Sequence, residues 1–295
     1  MLNSQKVQDN HKLITIIVGK RSNLSNGLSE RIKYSEVFSS SSLSKSLSQL
    51  TKFKEKEVNI IFNNFQTSSQ LNSFEDPFKY IDISISLTVS ILMHLIKCKA
   101  KINQIIYTSS CSIYGDLKRT ENYSDISPFG IPASLKYLNE EFLKKICKNN
   151  GLNLTIARIF NIFGGNDNFS VISKIVNCYK NNKSLDVRNE GRSVRDFIHV
   201  SNIVDVYEKI LQESKIKFDT IDIGTGKGKS LAEILSYLSN NGFVIDTKTS
   251  SLNEIEFSQA NVSDIEKIID VSSFKDVNSF LLNKLKWLIL LNVCF

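Results

Sequence analysis

The chain has 295 residues, 41% of them hydrophobic and 23% charged, enough apolar material for one substantial core or for two lobes sharing a cleft. Its formal charge of +7 comes from lysines spread along the whole length, with no arginine-rich arm, so nucleic acid is not the expected partner. The five cysteines are scattered, without a CxxC pair. They point away from a metal site and towards a reducing, cytoplasmic setting.

Residues Met1 to Lys12 are polar and lack the apolar centre of a signal peptide. Leu13 to Gly19 is β-branched and closed by glycine, which predicts a buried parallel strand. A polar loop, Lys20 to Asn26, leads into a helix near Leu28 to Lys33 and a short second strand at Tyr34 to Phe38. The serine-rich run from Ser39 to Ser48 is low in complexity, yet Leu43, Leu47 and Leu50 allow an amphipathic helix. Val58 to Phe62 reads as a third strand, ending at Asn63 and Asn64. A long apolar helix over 77–97, a fourth strand over 102–108, a helix over 132–149 and a strand over 154–158 follow. This alternation predicts an α/β fold built on a doubly wound parallel sheet, with ligands at the carboxyl ends of the strands.

From Asn161 the pattern loosens. Helices are predicted over 171–180, 202–214 and 230–239, with strands over 184–187 and 220–224. The expected organisation is a dinucleotide-binding domain over 1–160, which also receives about 193–225, and a smaller mixed substrate lobe over 161–295. The apolar stretch 287–295 is far shorter than the roughly 20 residues of a membrane span. A packed terminal helix or a subunit contact is expected there, and a homodimer is the expected assembly.

Three places carry chemistry. Gly19, Lys20, Arg21, Ser22, Asn23, Leu24 and Ser25 join a strand to a helix, where a dinucleotide pyrophosphate would rest on helix N–H groups. One glycine remains of a GxxGxxG spacing, and an ordinary strand-to-helix loop is the competing reading. Lys20 and Arg21 are cationic, and the second strand ends at Phe38-Ser39 without the acid that would hold a ribose 2′-hydroxyl. That combination favours NADPH, with NAD as the alternative. Next, the strand before Gly115 ends in the hydroxyls of Thr108, Ser109, Ser110 and Ser112, any of which could polarise a carbonyl or simply close a turn. Lys136 follows on the next helix, four residues before Glu140 and on the same flank, as in a plain surface pair. Finally, Asn161 and Arg195 stand at strand ends facing the same cleft, where Arg195 could clamp a diphosphate or form an ion-pair corner with Asp196.

Together these segments, in this order over about residues 13–240, resemble the extended short-chain dehydrogenase/reductase family of nucleotide-sugar epimerases, dehydratases and ketoreductases. The resemblance implies that Ser110 orients a carbonyl and that Lys136 is the active-site lysine, bound to the nicotinamide ribose. It further implies that Asn161 and Arg195 contact the diphosphate of a sugar nucleotide, and that Asn63 and Asn64 pass the cofactor. The family's acid tyrosine, four residues before the lysine, is Pro132 here, or Phe129 if the alignment slides. Tyr137 points about 100° around the helix from Lys136. The proton would therefore have to come from Tyr114 or Tyr123, which could reach the cleft, or from ordered water, with Tyr114 placed in the substrate site. The expected activity is NADPH-dependent reduction of a dTDP- or GDP-linked 6-deoxy-4-ketohexose for bacterial O-antigen synthesis. A nucleotide-sugar 4-epimerase with bound NAD and a non-catalytic dinucleotide- or sugar-nucleotide-binding protein are the alternatives.

Overall fold

The β-branched runs of the sequence become the interior strands of one parallel sheet. The computed structural model describes residues 13–64, 81–116, 125–213 and 216–293. In it β1 (Ile14–Val18), β2 (Ser35–Phe38), β3 (Glu57–Phe62), β4 (Lys101–Ser110), β5 (Leu154–Ile159) and β9 (Thr220–Ile223) pair in the order β2-β1-β3-β4-β5-β9. Every contact between neighbours is parallel. A parallel sheet needs a crossover between successive strands, and the crossovers cover both faces. On one face Ile16, Ile60 and Tyr107 pack with Ile91, Leu92 and Leu95 of α3 (Leu87–Lys97) and Leu143 of α4 (Ile131–Asn150). On the other, Ile17, Ile61 and Ile106 pack with Leu24 and Leu28 of α1 (Asn23–Arg31) and with Ile203, Val206 and Tyr207 of α6 (Val200–Gln212). Adjacent residues of each strand thus serve opposite cores, which is why the strands read as unbroken apolar runs.

The serine-rich segment is not one amphipathic helix. It divides into α2 (Ser40–Lys45) and a 3₁₀ turn at Leu47–Phe53. Ser39 Oγ accepts from Ser42 N at 3.0 Å and Ser46 Oγ from Ser48 N at 3.2 Å. Serines that bond to nearby backbone favour caps over helix interiors, and Leu43 and Leu50 are still buried. In β4 the strand runs on to Ser110, two residues past the expected end, because Ser109 and Ser110 keep register with Arg158 and Ile159 of β5. The helix expected over 77–97 is seen from a π-turn at Asp82–Ser86 into α3, and its first residues lie outside the described ones.

The second half builds a smaller sheet at the carboxyl edge of the first. β8 (Val194–His199) pairs with β6 (Asn161–Phe163), β10 (Gly228–Ser230) and β12 (Phe257–Ser258), while β7 (Leu185–Arg188) pairs with β11 (Thr247–Ser250). A third core joins Phe163 and Leu185 to Ile172 and Ile175 of α5 (Val171–Lys180), Ile234 and Leu238 of α7 (Leu231–Asn240), and Leu281 and Leu285 of α8 (Val277–Val293). The apolar terminal stretch is thus part of a packed helix, with Trp287 and Leu290 left exposed. Among the described residues no helix is long and apolar enough to cross a membrane.

Candidate active site

At the end of β1 the chain turns with Gly19 at φ +123°, and a Cβ there would lie 2.1 Å from the carbonyl oxygen of Asn63. Only glycine lets the two strand ends approach so closely. Ser22 and Ser25, which take the second and third places of the GxxGxxG spacing, are both tied to Asn63. Its Nδ2 donates to Ser22 Oγ at 2.7 Å and to Ser25 Oγ at 2.8 Å. Ser22 also caps α1, accepting from Ser25 N. Asn63 therefore braces the loop in addition to lining the cleft. Asn64 donates to Ile83 O and Thr88 Oγ1, and its buried Oδ1 has no partner.

The start of α1 presents N–H groups that no helical carbonyl can satisfy, beside the exposed Lys20 and Arg21. A loop with a mandatory glycine, a helix N-terminus and two cations fits a dinucleotide pyrophosphate. At the β2 edge Ser39, Ser40 and Ser41 line the same space.

From this loop a cleft of about 1400 Å³ runs past Asn63 and Asn64 to Asn161, Arg195 and Glu254. Asn161 Nδ2 is buried without a partner, a donor left for a ligand to satisfy. Asn23 crosses the cleft floor: its Nδ2 donates to Gly164 O at 2.8 Å and its Oδ1 accepts from Asn166 N at 3.0 Å. It thereby joins the dinucleotide loop to the segment that carries Asn161.

Arg195 does not pair with Asp196. That carboxylate is buried and accepts from Thr225 N and Oγ1, Gly226 N and Ala260 N. Arg195 Nη2 instead faces Glu254 Oε2 at 3.4 Å, and burial lowers its basicity against the pull of Glu254. Glu254 was not among the expected site residues. It falls in a stretch without any family-like motif, and nothing in its neighbours in sequence marks it.

Ser110 ends β4, which lies between two strands whose ends line the cleft, but neither Ser110 nor Lys136 lines it among the described residues. Ser110 Oγ accepts from Ser112 N at 3.3 Å and pairs with Ser112 Oγ at 2.9 Å, so it caps the turn that follows. Lys136 sits in the second turn of α4, beside that turn. Burial pulls its ammonium down to about 8, with Cys111 and Glu140 opposing. Burial pushes the Cys111 thiol up to about 11.

Two expectations fail here. Glu140 is no surface partner of Lys136. It is fully buried and grips Arg158 of β5 with two hydrogen bonds of 3.1 and 2.7 Å. Tyr114 is not in the substrate site either. Its ring lies under the Arg158 guanidinium at 4.7 Å, and its hydroxyl donates to Asp222 at 2.6 Å. The apolar Ile113-Tyr114 pair turns inward where the strand ends, and the aromatic ring covers a buried cation.

Pro132 occupies the first turn of α4, where its missing N–H costs nothing. Phe129 is exposed and carries no proton. The hydroxyls of Tyr107 and Tyr207 are bonded in the core to Asn139 and Thr108. Tyr123 lies outside the described residues. Among Tyr107, Tyr114 and Tyr207, then, no hydroxyl is placed to act for the missing acid.

Removing Glu140 strands a buried guanidinium. Glu140→Ala should therefore lower stability by roughly 3–5 kcal/mol, as for other broken buried pairs, read from urea unfolding. A loss below about 1 kcal/mol would show that water reaches Arg158.

The NAD dependent epimerase/dehydratase family model matches residues 6–224. The UDP-glucose 4-epimerase of Mycoplasma genitalium is 24% identical over 208 residues, 61% of this chain and 59% of that protein. The UDP-glucose 4-epimerase of Lactobacillus helveticus is 24% identical over 203 residues, 62% of this chain and 61% of that protein. The chain thus spans about three-fifths of the length of each of these two relatives. Among solved structures, the UDP-glucuronic acid 4-epimerase of Bacillus cereus, in complex with UDP-glucuronic acid and NAD, superposes with a TM-score of 0.78 at 16% identity. That match covers 95% of this chain and 100% of that one, and at such identity it speaks for the fold alone. A parallel sheet of this order, a one-glycine loop at β1 and a family model spanning most of the chain lead to one conclusion: this chain belongs to the NAD dependent epimerase/dehydratase family.

Proposed function

We propose that the chain holds a pyridine dinucleotide at the β1–α1 edge and a nucleoside-diphosphate sugar against Asn161 and Arg195, and that it carries out redox chemistry at C4 of the sugar. The observation that carries this reading is the single cleft lined at one end by Gly19 to Leu24 and at the other by the partnerless amide of Asn161. A bound dinucleotide would supply hydride acceptance and return. The chain's own part is electrostatic and positional. The α1 N-terminus with Lys20 and Arg21 offsets pyrophosphate charge. Asn161 donates to a phosphate oxygen. Ser110 and Lys136 stand at the turn beside the cleft and do not line it; their roles at the C4 oxygen and the nicotinamide ribose rest on the family resemblance.

We put 4-epimerisation of a UDP-sugar with NAD first, because the matched relatives carry that name. NADPH-dependent reduction of a dTDP- or GDP-linked 4-keto-6-deoxyhexose, for bacterial O-antigen, is the second reading. Lys20, Arg21 and the Ser39–Ser41 edge favour it, since none of them is the acid that a ribose 2′-hydroxyl prefers. Titration with NADH and NADPH decides between them: tighter NADH binding sinks the second reading.

Pro132 supports a third possibility, binding without turnover. General acids contribute about 10²–10⁴-fold, so Pro132→Tyr should raise turnover of a UDP-sugar by a factor in that range. A variant no faster than wild type would show that the lost tyrosine is not the limiting defect. Above about pH 8 Lys136 loses its ammonium, so dinucleotide affinity should fall as pH rises through 8 in the wild type. Lys136→Met should abolish that dependence, and its persistence in the variant would assign it to another group.

Leu138 and Phe142 are exposed at neighbouring positions on α4, an apolar stripe that supports a homodimer. Phe142→Glu should convert a sedimenting dimer to monomer. A wild type that is monomeric at micromolar concentration removes this assembly from the proposal.

A further inference from the structure

Arg195 is the cation on which diphosphate binding rests, yet its charge already has a counter-ion. Glu254 Oε2 lies 3.4 Å from Nη2, and the two side chains are 17% and 20% exposed. Glu254 is no loose surface carboxylate. Ser193 Oγ donates to its Oε1 at 2.6 Å, and Asn189 Nδ2 reaches the same oxygen at 3.3 Å. Its backbone is fixed on both sides. Asn189 exchanges two hydrogen bonds with Leu252, of 2.7 and 3.1 Å, and Asp116 accepts from Glu256 N and Phe257 N, both at 3.1 Å. β12 then runs along β8 with Ser258 opposite Arg195. Both Arg195 and Glu254 line the cleft.

A carboxylate held in this way sets a negative charge where a ligand's phosphates must arrive. Opposite charges in a partly buried cleft attract more strongly than in water, so the pair with Arg195 has to be broken before a phosphate can take the place of Glu254. We propose that Glu254 is a specificity-determining residue of the substrate half of the cleft: it neutralises Arg195, and a diphosphate gains the arginine only by displacing that ion pair. The inference rests on the nucleotide-sugar reading above. Free phosphate and pyrophosphate bring charge and no other contacts, so Glu254 keeps them out. A whole nucleoside-diphosphate sugar offsets the lost pair through its base and sugar.

The test is calorimetric titration of the full chain with UDP, or with dTDP or GDP in its place where UDP does not bind, and with inorganic pyrophosphate. Wild type is compared with Glu254→Gln, Arg195→Ala and the double variant, each below its own melting midpoint. Glutamine keeps an acceptor for Ser193 and Asn189 while removing the charge, and Glu254→Ala serves as a second charge-free variant. UDP should bind Glu254→Gln on the order of tenfold more tightly than wild type, the scale of close interfacial charge pairs. Pyrophosphate should gain by a larger factor, and both gains should vanish when Arg195 is also replaced. Wild-type UDP binding with no gain in either charge-free variant overturns the role of Glu254 alone, as does a gain that survives in the double variant. Failure of every variant to bind UDP, dTDP or GDP overturns the nucleotide-sugar reading, and this inference with it.

Discussion

The buried pair of Glu140 and Arg158 is the constraint on which the candidate active site depends. It joins α4 to β5, and it does not stand alone. Arg158 also covers the ring of Tyr114, from the turn after β4, and Tyr114 passes its proton-donating hydroxyl to Asp222 on β9. Four elements are thus linked by charge across the carboxyl edge of the sheet. Burial would strip the arginine of its proton; the two bonds from Glu140 outweigh that and hold it charged. Asp222 is pushed up to about 6 by the same burial, against the hydrogen bond from Tyr114. The chain of contacts sets the distance between the helix of Lys136 and the turn of Ser110. Both of those residues therefore inherit their positions from groups that do not line the cleft.

A second set of carboxylates organises the substrate half. Asp196 gathers three backbone N–H groups and a threonine hydroxyl, and Asp116 gathers two more N–H groups from the segment after Glu254. Each carboxylate satisfies loop backbone that no sheet ladder reaches. This is how a lobe with short strands can hold a cleft wall in a defined place. It is also how Glu254, on an otherwise irregular stretch, comes to face Arg195 with a fixed approach.

The fold was legible in the sequence because it rests on short-range pattern. Ile14 to Val18, Val58 to Phe62 and Leu154 to Ile159 are mostly apolar on both faces, with Thr15, Asn59, Thr155 and Arg158 as buried exceptions. Such runs have few stable uses other than the middle of a parallel sheet. The loop from Gly19 to Leu24 was expected to line the cleft and does so, because a strand closed by glycine leads directly into a helix at the carboxyl edge of the sheet. Asn161 and Arg195 were found through motif order. Glu254 was not, and Tyr114 was misplaced, because a side chain at a strand end can turn either into the cleft or into the core. Local sequence does not distinguish those directions. Lys136 and Glu140 look like a surface pair by spacing, and only the approach of β5 from beneath makes one of them a buried counter-ion.

The sequence by itself determined the strand–helix alternation and the identity of the residues at each strand end, because these follow from periodicity and spacing along one chain. Its motifs resembled the family that the family model then showed. It also places Pro132 where the resemblance implies an acid tyrosine, and proline has no proton to give in any fold. The tertiary structure alone decided which charges meet: Arg158 with Glu140, Arg195 with Glu254, Tyr114 with Asp222. Those pairs lie 18, 59 and 108 residues apart. At such separations contact is set by sheet order and loop closure, and electrostatic energy between partly buried groups changes steeply with the last few ångströms.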